Sequence, residues 1–187
     1  MKFYKKWAKR EVSFSQRMIA TLGAGLIFAL TIPYLLAKVI PLLDPAFHLP
    51  SITFGMISLI IGGILIIAGF SFGIWSIVDQ LILAGGTPLP VMATQKLLVM
   101  GAFKYCRNPM AFGTIVAYTG ISIFVGSLAS LIAVAVFALL LMLYIKLIEE
   151  RELEERFGQE YLTYKEYTSF IIPWVGRCQR KRSRPGK

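Results

Sequence analysis

The chain has 187 residues, of which 56% are hydrophobic and 16% charged. That composition excludes a disordered chain, which needs low hydrophobicity and high charge, and is too apolar for an ordinary soluble domain. Two cysteines and one histidine exclude a disulfide scaffold and leave no ordinary zinc site, so no metal is expected.

The formal net charge of +10 is concentrated at the two ends. Residues 1–17 hold six Lys or Arg against Glu11, and residues 177–187 hold six with no acid. Basic ends can bind nucleic acid. On so apolar a chain they read instead as juxtamembrane charge facing anionic lipid, with no nucleic-acid partner.

Met18 to Ala37 is free of charge and long enough to cover about 30 Å as a helix, one bilayer core. It reads as a first span, followed by an external loop containing Pro41, Asp44, Pro45, His48 and Pro50. Ser51 to Val78 is a second uncharged run, ending at Asp79, which reads as an interfacial residue. Its Gly62, Gly63, Gly69 and Gly73 are spaced for close helix packing.

Gly86-Thr87-Pro88-Leu89-Pro90 must turn, because two prolines cannot continue a helix. Gly101 permits another turn, and Asn108-Pro109 reads as a helix start with Asn108 as N-cap. A helix N-terminus beside Arg107 favours a carboxylate or phosphate. The alternative is that Asn108 only caps and Arg107 only snorkels to headgroups.

The uncharged stretch from Pro109 to Ile145 would be about 55 Å long as one helix, nearly twice the bilayer core. A break at Gly126-Ser127 makes it a hairpin. Four spans, with a fifth possible in principle, then put both basic ends, Lys96, Lys104 and Arg107 on one side. The positive-inside rule makes that side cytoplasmic, where Cys106 and Cys178 stay reduced.

Five of the seven residues from Glu149 to Glu155 are Glu. Glu149 and Glu150 lie at membrane depth, where a carboxylate needs a cation or a polar cavity. Glu152, Glu154 and Glu155 read as a solvated face with i,i+4 pairing to Arg156. Gly158 ends that helix. Tyr161, Tyr164 and Tyr167 then recur every third residue, the pattern of an interfacial helix.

Three segments, GTPLP at 86–90, LVMGAFKYCRNPM at 98–110 and EERELEERFGQEYLTY at 149–164, followed by Pro173, occur together in this order. In that arrangement the C-terminal half resembles the isoprenylcysteine carboxyl methyltransferase family, whose wider group includes membrane phospholipid N-methyltransferases. The resemblance implies an all-α polytopic fold with a cytoplasmic pocket for S-adenosyl-L-methionine and a lipophilic methyl acceptor arriving from the bilayer. Carried over by position, it assigns cofactor contacts to Gln95, Lys96, Leu97, Leu98, Phe103, Asn108, Pro109, Met110, Ala111 and Glu149, with Glu150 in place of Glu149 if the register slips by one; Arg107 joins them from its place beside the helix N-terminus. Glu150 and Tyr105 are the groups available to assist a proton transfer.

The family often has His at the position of Asn108 and usually Tyr at that of Ala111. An Arg that serves the carboxylate substrate in the isoprenylcysteine enzymes falls on Ile145 here, with Lys146 next to it as the candidate substrate contact. The implied organisation is a basic N-terminal segment (1–17), two transmembrane helices (18–84), a methyltransferase core (85–176) and a basic, disordered tail (177–187). Two other readings compete: a sterol-type reductase using NADPH, and a scaffold held to lipid by its basic ends.

Overall fold

The computed structural model describes residues 14–84 and 96–174, all of whose regular elements are helical. The basic segments 1–13 and 175–187, Gly86–Pro90 and Gln95 lie outside the described residues. Helix α1 comprises residues 14–46, α2 Met56–Leu83, α3 Pro109–Val125, α4 Leu128–Phe157 and α5 Gln159–Tyr167. Thr21–Ala46, Met56–Leu83 and Leu128–Phe157 are long and apolar enough to cross a membrane. The shorter α3 has 17 residues, about 26 Å of rise, and returns beside α2.

The hairpin break falls where helix length requires it. Gly126 adopts φ +74° and ψ 26°, and its N–H bonds back to the carbonyls of Ser122 and Ile123. The Ser127 hydroxyl then caps α4 by accepting from the Ser130 amide at 3.1 Å.

Helices α2 and α3 run antiparallel with their backbones in contact. A Cβ on Gly69 would sit 2.6 Å from the Gly113 carbonyl, and one on Gly62 would sit 2.8 Å from that of Gly120. Gly62 and Gly69 face this seam and the buried Gly73 lends it its backbone, 2.7 Å from where a Cβ on Gly113 would sit, whereas a Cβ on Gly63 would meet nothing. Glycine here allows the close approach that drives helix association in lipid.

Helix α1 departs from the expected span and loop. It continues through Pro41, Asp44 and Pro45 to Ala46, so the connection to α2 is residues 47–55 only. Two wide π turns, Ile27–Thr31 and Leu35–Val39, make this continuity possible. In each, the next residue bonds five positions back: Ile32 N–H to Ile27, and Ile40 N–H to Leu35. The following donors in that pattern would be Pro33 and Pro41, which have no N–H. Phe28 and Leu36 are therefore left with carbonyls lacking a helical donor. The Tyr118 hydroxyl donates to the first at 2.6 Å and the Ser130 hydroxyl to the second at 2.8 Å. Asp44 is not a loop residue: its Oδ1 accepts the Ala129 amide at 2.8 Å, at the positive end of α4.

Helix α2 also differs from the expected run. It starts at Met56 and passes through Asp79 to Leu83, with the Phe54 amide donating to the Ser58 hydroxyl at its start. Asp79 accepts the Ala102 amide at 2.8 Å and packs against Gly101, whose φ of +61° makes the turn. It is a turn anchor rather than a bare interfacial acid.

Removing the Tyr118 hydroxyl tests the carbonyl-rescue arrangement. Tyr118→Phe should lower unfolding stability in detergent by about 1 kcal/mol, the scale for a buried acceptor left without its donor in a membrane protein. Gly69→Val should cost more, because its branches would meet the α3 backbone. Unfolding midpoints of the two variants check both values.

Candidate functional site

The segment from Gly101 to Asn108 links α2 to α3 and is held from three sides. A 3-10 turn, Gly101–Lys104, follows the Asp79 anchor. From the C-terminal side, the Tyr164 hydroxyl donates to the Phe103 carbonyl at 2.6 Å, and the Trp174 amide to that of Tyr105 at 3.0 Å. The Arg107 amide donates to the Ser169 carbonyl at 2.9 Å, and the Asn108 side-chain amide to that of Phe170 at 2.8 Å. Asn108 does occupy the N-cap position of α3, but its side chain makes no capping bond. Its amide is drawn instead to a chain segment 62 residues away. The first intrahelical bond runs from the Phe112 amide to the Asn108 carbonyl, leaving the Met110 and Ala111 amides ahead of it in the first turn.

A cavity of about 410 Å³ lies among α1, α2, α3 and α4, within the usual range for a small-molecule site. One end is polar: Gln80, Arg107, Asn108, Glu149, Glu152 and Arg156 line it, with Phe103 and Pro109. The other end is apolar and lies among the spans: Phe28, Ala29, Phe70, Ile74, Phe137 and Leu141 line it. Met110, Ala111, Thr114, Tyr144 and Ile145 line the wall as well.

A π turn over Ile145–Glu149 lies where α4 changes from apolar to charged. Such wide turns are frequent at functional sites. It keeps Leu141, Ile145 and Glu149 on the cavity side, although steps of four would drift around a regular helix. Beyond the turn, Glu152, Leu153 and Arg156 continue the wall. Glu152 thus lines the cavity, and its Oε1 lies 3.5 Å from Arg156 Nη1; it is not on a purely solvated face.

Of the residues singled out from sequence, Phe103, Arg107, Asn108, Pro109, Met110, Ala111 and Glu149 come together at the cavity. Lys96, Leu97 and Leu98 are not in its lining; Leu98 is buried and Lys96 exposed. Lys146 is exposed and lies outside the lining, where Ile145 takes the inward position. Tyr105 packs edge-on against Trp75, with ring centroids 5.9 Å apart. Glu150 is 4% exposed and turns from the cavity to an ion cluster. Its Oε1 lies 2.7 Å from Arg107 Nη1, and its Oε2 lies 2.9 Å from Lys165 Nζ, which also bonds Glu154 at 2.8 Å.

Glu154 is therefore part of a paired cluster. Its hydrogen bond, with that of Glu150, holds the Lys165 ammonium above its usual pKa. Tyr161 and Tyr164 face inward rather than lying at an interface; Tyr161 is 1% exposed. Burial pushes its hydroxyl well above the usual tyrosine range, the Glu150 charge adds to this, and Arg107 opposes it.

Sequence reasoning missed Gln80, Thr114, Tyr144, Glu152, Arg156 and the α1 wall at Phe28 and Ala29. Gln80 was legible as a polar residue within an otherwise apolar helix. The α1 wall depends on packing across helices, for which no sequence signal exists.

Residues 57–160 match the family model for phospholipid methyltransferase. The match covers more than half of the chain and includes α2, α3, α4 and every residue that lines the polar end of the cavity. The chain belongs to the phospholipid methyltransferase family. Over 132 residues it is also 32% identical to methanethiol S-methyltransferase 1 of Bradyrhizobium diazoefficiens, an alignment covering 70% of this chain. It covers 43% of that protein, so the chain spans less than half the length of this relative. The family match and the long apolar helices together make this an integral membrane protein.

Cys106 lies in the segment these residues organise and is fully buried. Burial pushes its thiol up to about 11, against a smaller opposing effect of a backbone hydrogen bond at Asn108. The raised value means that the folded state favours the neutral thiol. Its contribution to stability is present below the thiol's ordinary value of 9.0 and is lost as pH rises towards about 11. In a Cys178→Ser background, iodoacetamide at pH 8 should modify native protein at least about a hundredfold more slowly than denatured protein. Mass spectrometry of timed aliquots measures the ratio.

Proposed function

We propose that this protein is an integral membrane methyltransferase that uses S-adenosyl-L-methionine to methylate a lipophilic acceptor. The observation that carries the reading is the cavity's division into a polar end and an apolar end. A charged, polar donor fits the first, and an apolar acceptor delivered by the bilayer fits the second. The family membership supports the reaction class.

The residues fit the donor by chemistry. Arg107 is nine-tenths buried, and its Nε has no hydrogen-bond partner among the described residues. It is suited to a carboxylate, together with the first-turn amides of α3. Glu149 is suited to an ammonium or to ribose hydroxyls, and Phe103 and Met110 to the flat face of adenine. When bound, the cofactor supplies an electrophilic methyl group on a sulfonium. The chain's task is then to orient both partners and exclude water.

The acceptor is a carboxylate, amine or thiol carried on an apolar body. The apolar lining at Phe28, Phe70 and Phe137 offers no charged anchor for a carboxylate. The relative named for methanethiol S-methylation adds weight to a thiol. A thiolate needs no base, whereas a thiol must lose its proton before or during transfer. We place both basic ends and the polar end of the cavity on the cytoplasmic side, with anionic lipid at the ends. The methyltransferase core of 85–176 then works with walls supplied by α1 and α2.

Calorimetric titration of detergent-solubilised protein with S-adenosylhomocysteine tests this reading, with NADPH as the parallel ligand. Saturable binding of the first is expected. Glu149→Ala and Asn108→Ala should each weaken it about tenfold or more, while Glu160→Ala, on the exposed face of α5, leaves it unchanged. Binding of NADPH alone would replace the proposal with a reductase. Equal losses in all three variants would sink the residue assignment.

A further inference from the structure

The buried ion cluster sits directly behind the polar end of the cavity. Arg107 is shared between the two. Its Nη1 faces Glu150 at 2.7 Å, its guanidinium carbon lies 5.6 Å from the centre of the Phe170 ring, and its Nε is buried with no hydrogen-bond partner among the described residues. Phe170 lies beyond residue 160, where the family match ends, and so does Lys165, which holds the second oxygen of Glu150 at 2.9 Å. An arginine alone can turn its guanidinium through several rotamers, and a carboxylate behind it removes that freedom only if the carboxylate is itself held. Glu150 is held by Lys165, and Lys165 by Glu154. The four charges sum to zero, with Arg107 and Glu150 buried and Lys165 and Glu154 half-exposed at the outer end.

We infer that Glu150 and Lys165 are positioning residues: they fix the Arg107 guanidinium so that its unpartnered Nε is presented to an anionic group of the ligand in the cavity. The inference rests on the methyl-donor reading, because that anionic group is the donor's carboxylate. It assigns a role to the C-terminal strap, residues 159–174, beyond closing the fold. The strap's bonds to the Phe103, Tyr105 and Asn108 positions set where the loop lies. The Glu150–Lys165 contact sets how one side chain on that loop points. Glu150 is outside the cavity lining and pairs with Arg107 and Lys165, so its effect should appear in donor affinity and not in acceptor handling.

The test uses full-length protein in detergent, with S-adenosylhomocysteine as the calorimetric probe. Lys165 is 36% exposed, so Lys165→Met is the gentle variant. It should weaken binding about tenfold, equivalent to ~1.4 kcal/mol. Lys165→Arg, which keeps the charge, should restore most of it, and Glu150→Gln should weaken binding at least as much as Lys165→Met. Decarboxylated S-adenosylhomocysteine, which lacks the carboxylate, should bind wild type and Lys165→Met alike, a readout that a purely structural role does not produce. If Lys165→Met lowers the unfolding midpoint but binds the probe as wild type does, the inference is wrong while the methyl-donor reading stands. If both probes weaken equally, the cluster supports the fold and does not orient Arg107. Failure of wild type to bind either probe overturns the methyl-donor reading and this inference with it.

Discussion

Two helix backbones touch at Gly69 and Gly113, and the arrangement of the rest of the molecule follows from that contact. In lipid there is no hydrophobic gain from pressing two apolar helices together, so association rests on close packing. Removing side chains along one stripe of each helix lets α2 and α3 lie in backbone contact. The end of α2 then meets the start of α3, where Asp79 receives the Ala102 amide. The loop that carries Arg107 and Asn108 is placed by this closure, and the cavity opens beside the seam rather than across it. Gly69 and Gly73 are themselves part of its wall.

The second constraint is that a bilayer leaves no backbone group to be satisfied by water. Pro33 and Pro41 each remove a donor from α1, and the π turns before them shift the loss onto the Phe28 and Leu36 carbonyls. Tyr118 of α3 and Ser130 of α4 supply the missing hydrogens. The two prolines therefore decide which helices α1 must lie against. Without Tyr118 the cost of the unpaired carbonyl would favour moving α1 away, and the cavity would lose the wall formed by Phe28 and Ala29.

What could be read in the sequence was set by range. The Gly126-Ser127 break was legible because a single helix through that stretch would be nearly twice the bilayer core in length, a limit that needs no tertiary information. The start of α3 at Pro109 was legible from local backbone chemistry. The use made of Asn108 was not, since its partner is the Phe170 carbonyl at the far end of the chain. Glu150 shows the same limit: its depth pointed to a cation, but only the fold selects Arg107 and Lys165. Glu152 reads as solvated from its i,i+4 pairing with Arg156, a pairing the structure keeps while both residues line the cavity. The π turn at Ile145–Glu149 admits an extra residue, so a helical wheel drawn at 3.6 residues per turn is out of phase beyond it. The paired prolines of α1 misled in the same way, since proline clusters usually mark turns and here follow widened helix.

The same π turn marks the level at which the cavity changes character. Below it, from Leu128 to Tyr144, α4 carries no charge; above it, Glu149, Glu152 and Arg156 face inward. Charge deep in a bilayer is costly unless paired or wet, so the charged donor of the proposed reaction would be confined to the upper part. An apolar acceptor gains most by burying its body in the lower part. Under the proposed reading, the reaction would take place near the junction, where Tyr144, Ile145 and Glu149 of α4 line the cavity with Met110, Ala111 and Thr114 of α3. At this junction Ile145 is apolar and Ala111 small, where the resemblance to the isoprenylcysteine enzymes would place an Arg and a Tyr. Both changes make the junction roomier and less charged. Under the proposed reading, that would favour a compact, uncharged acceptor head over a carboxylate, with these two positions on facing helices as the ones that discriminate between acceptors.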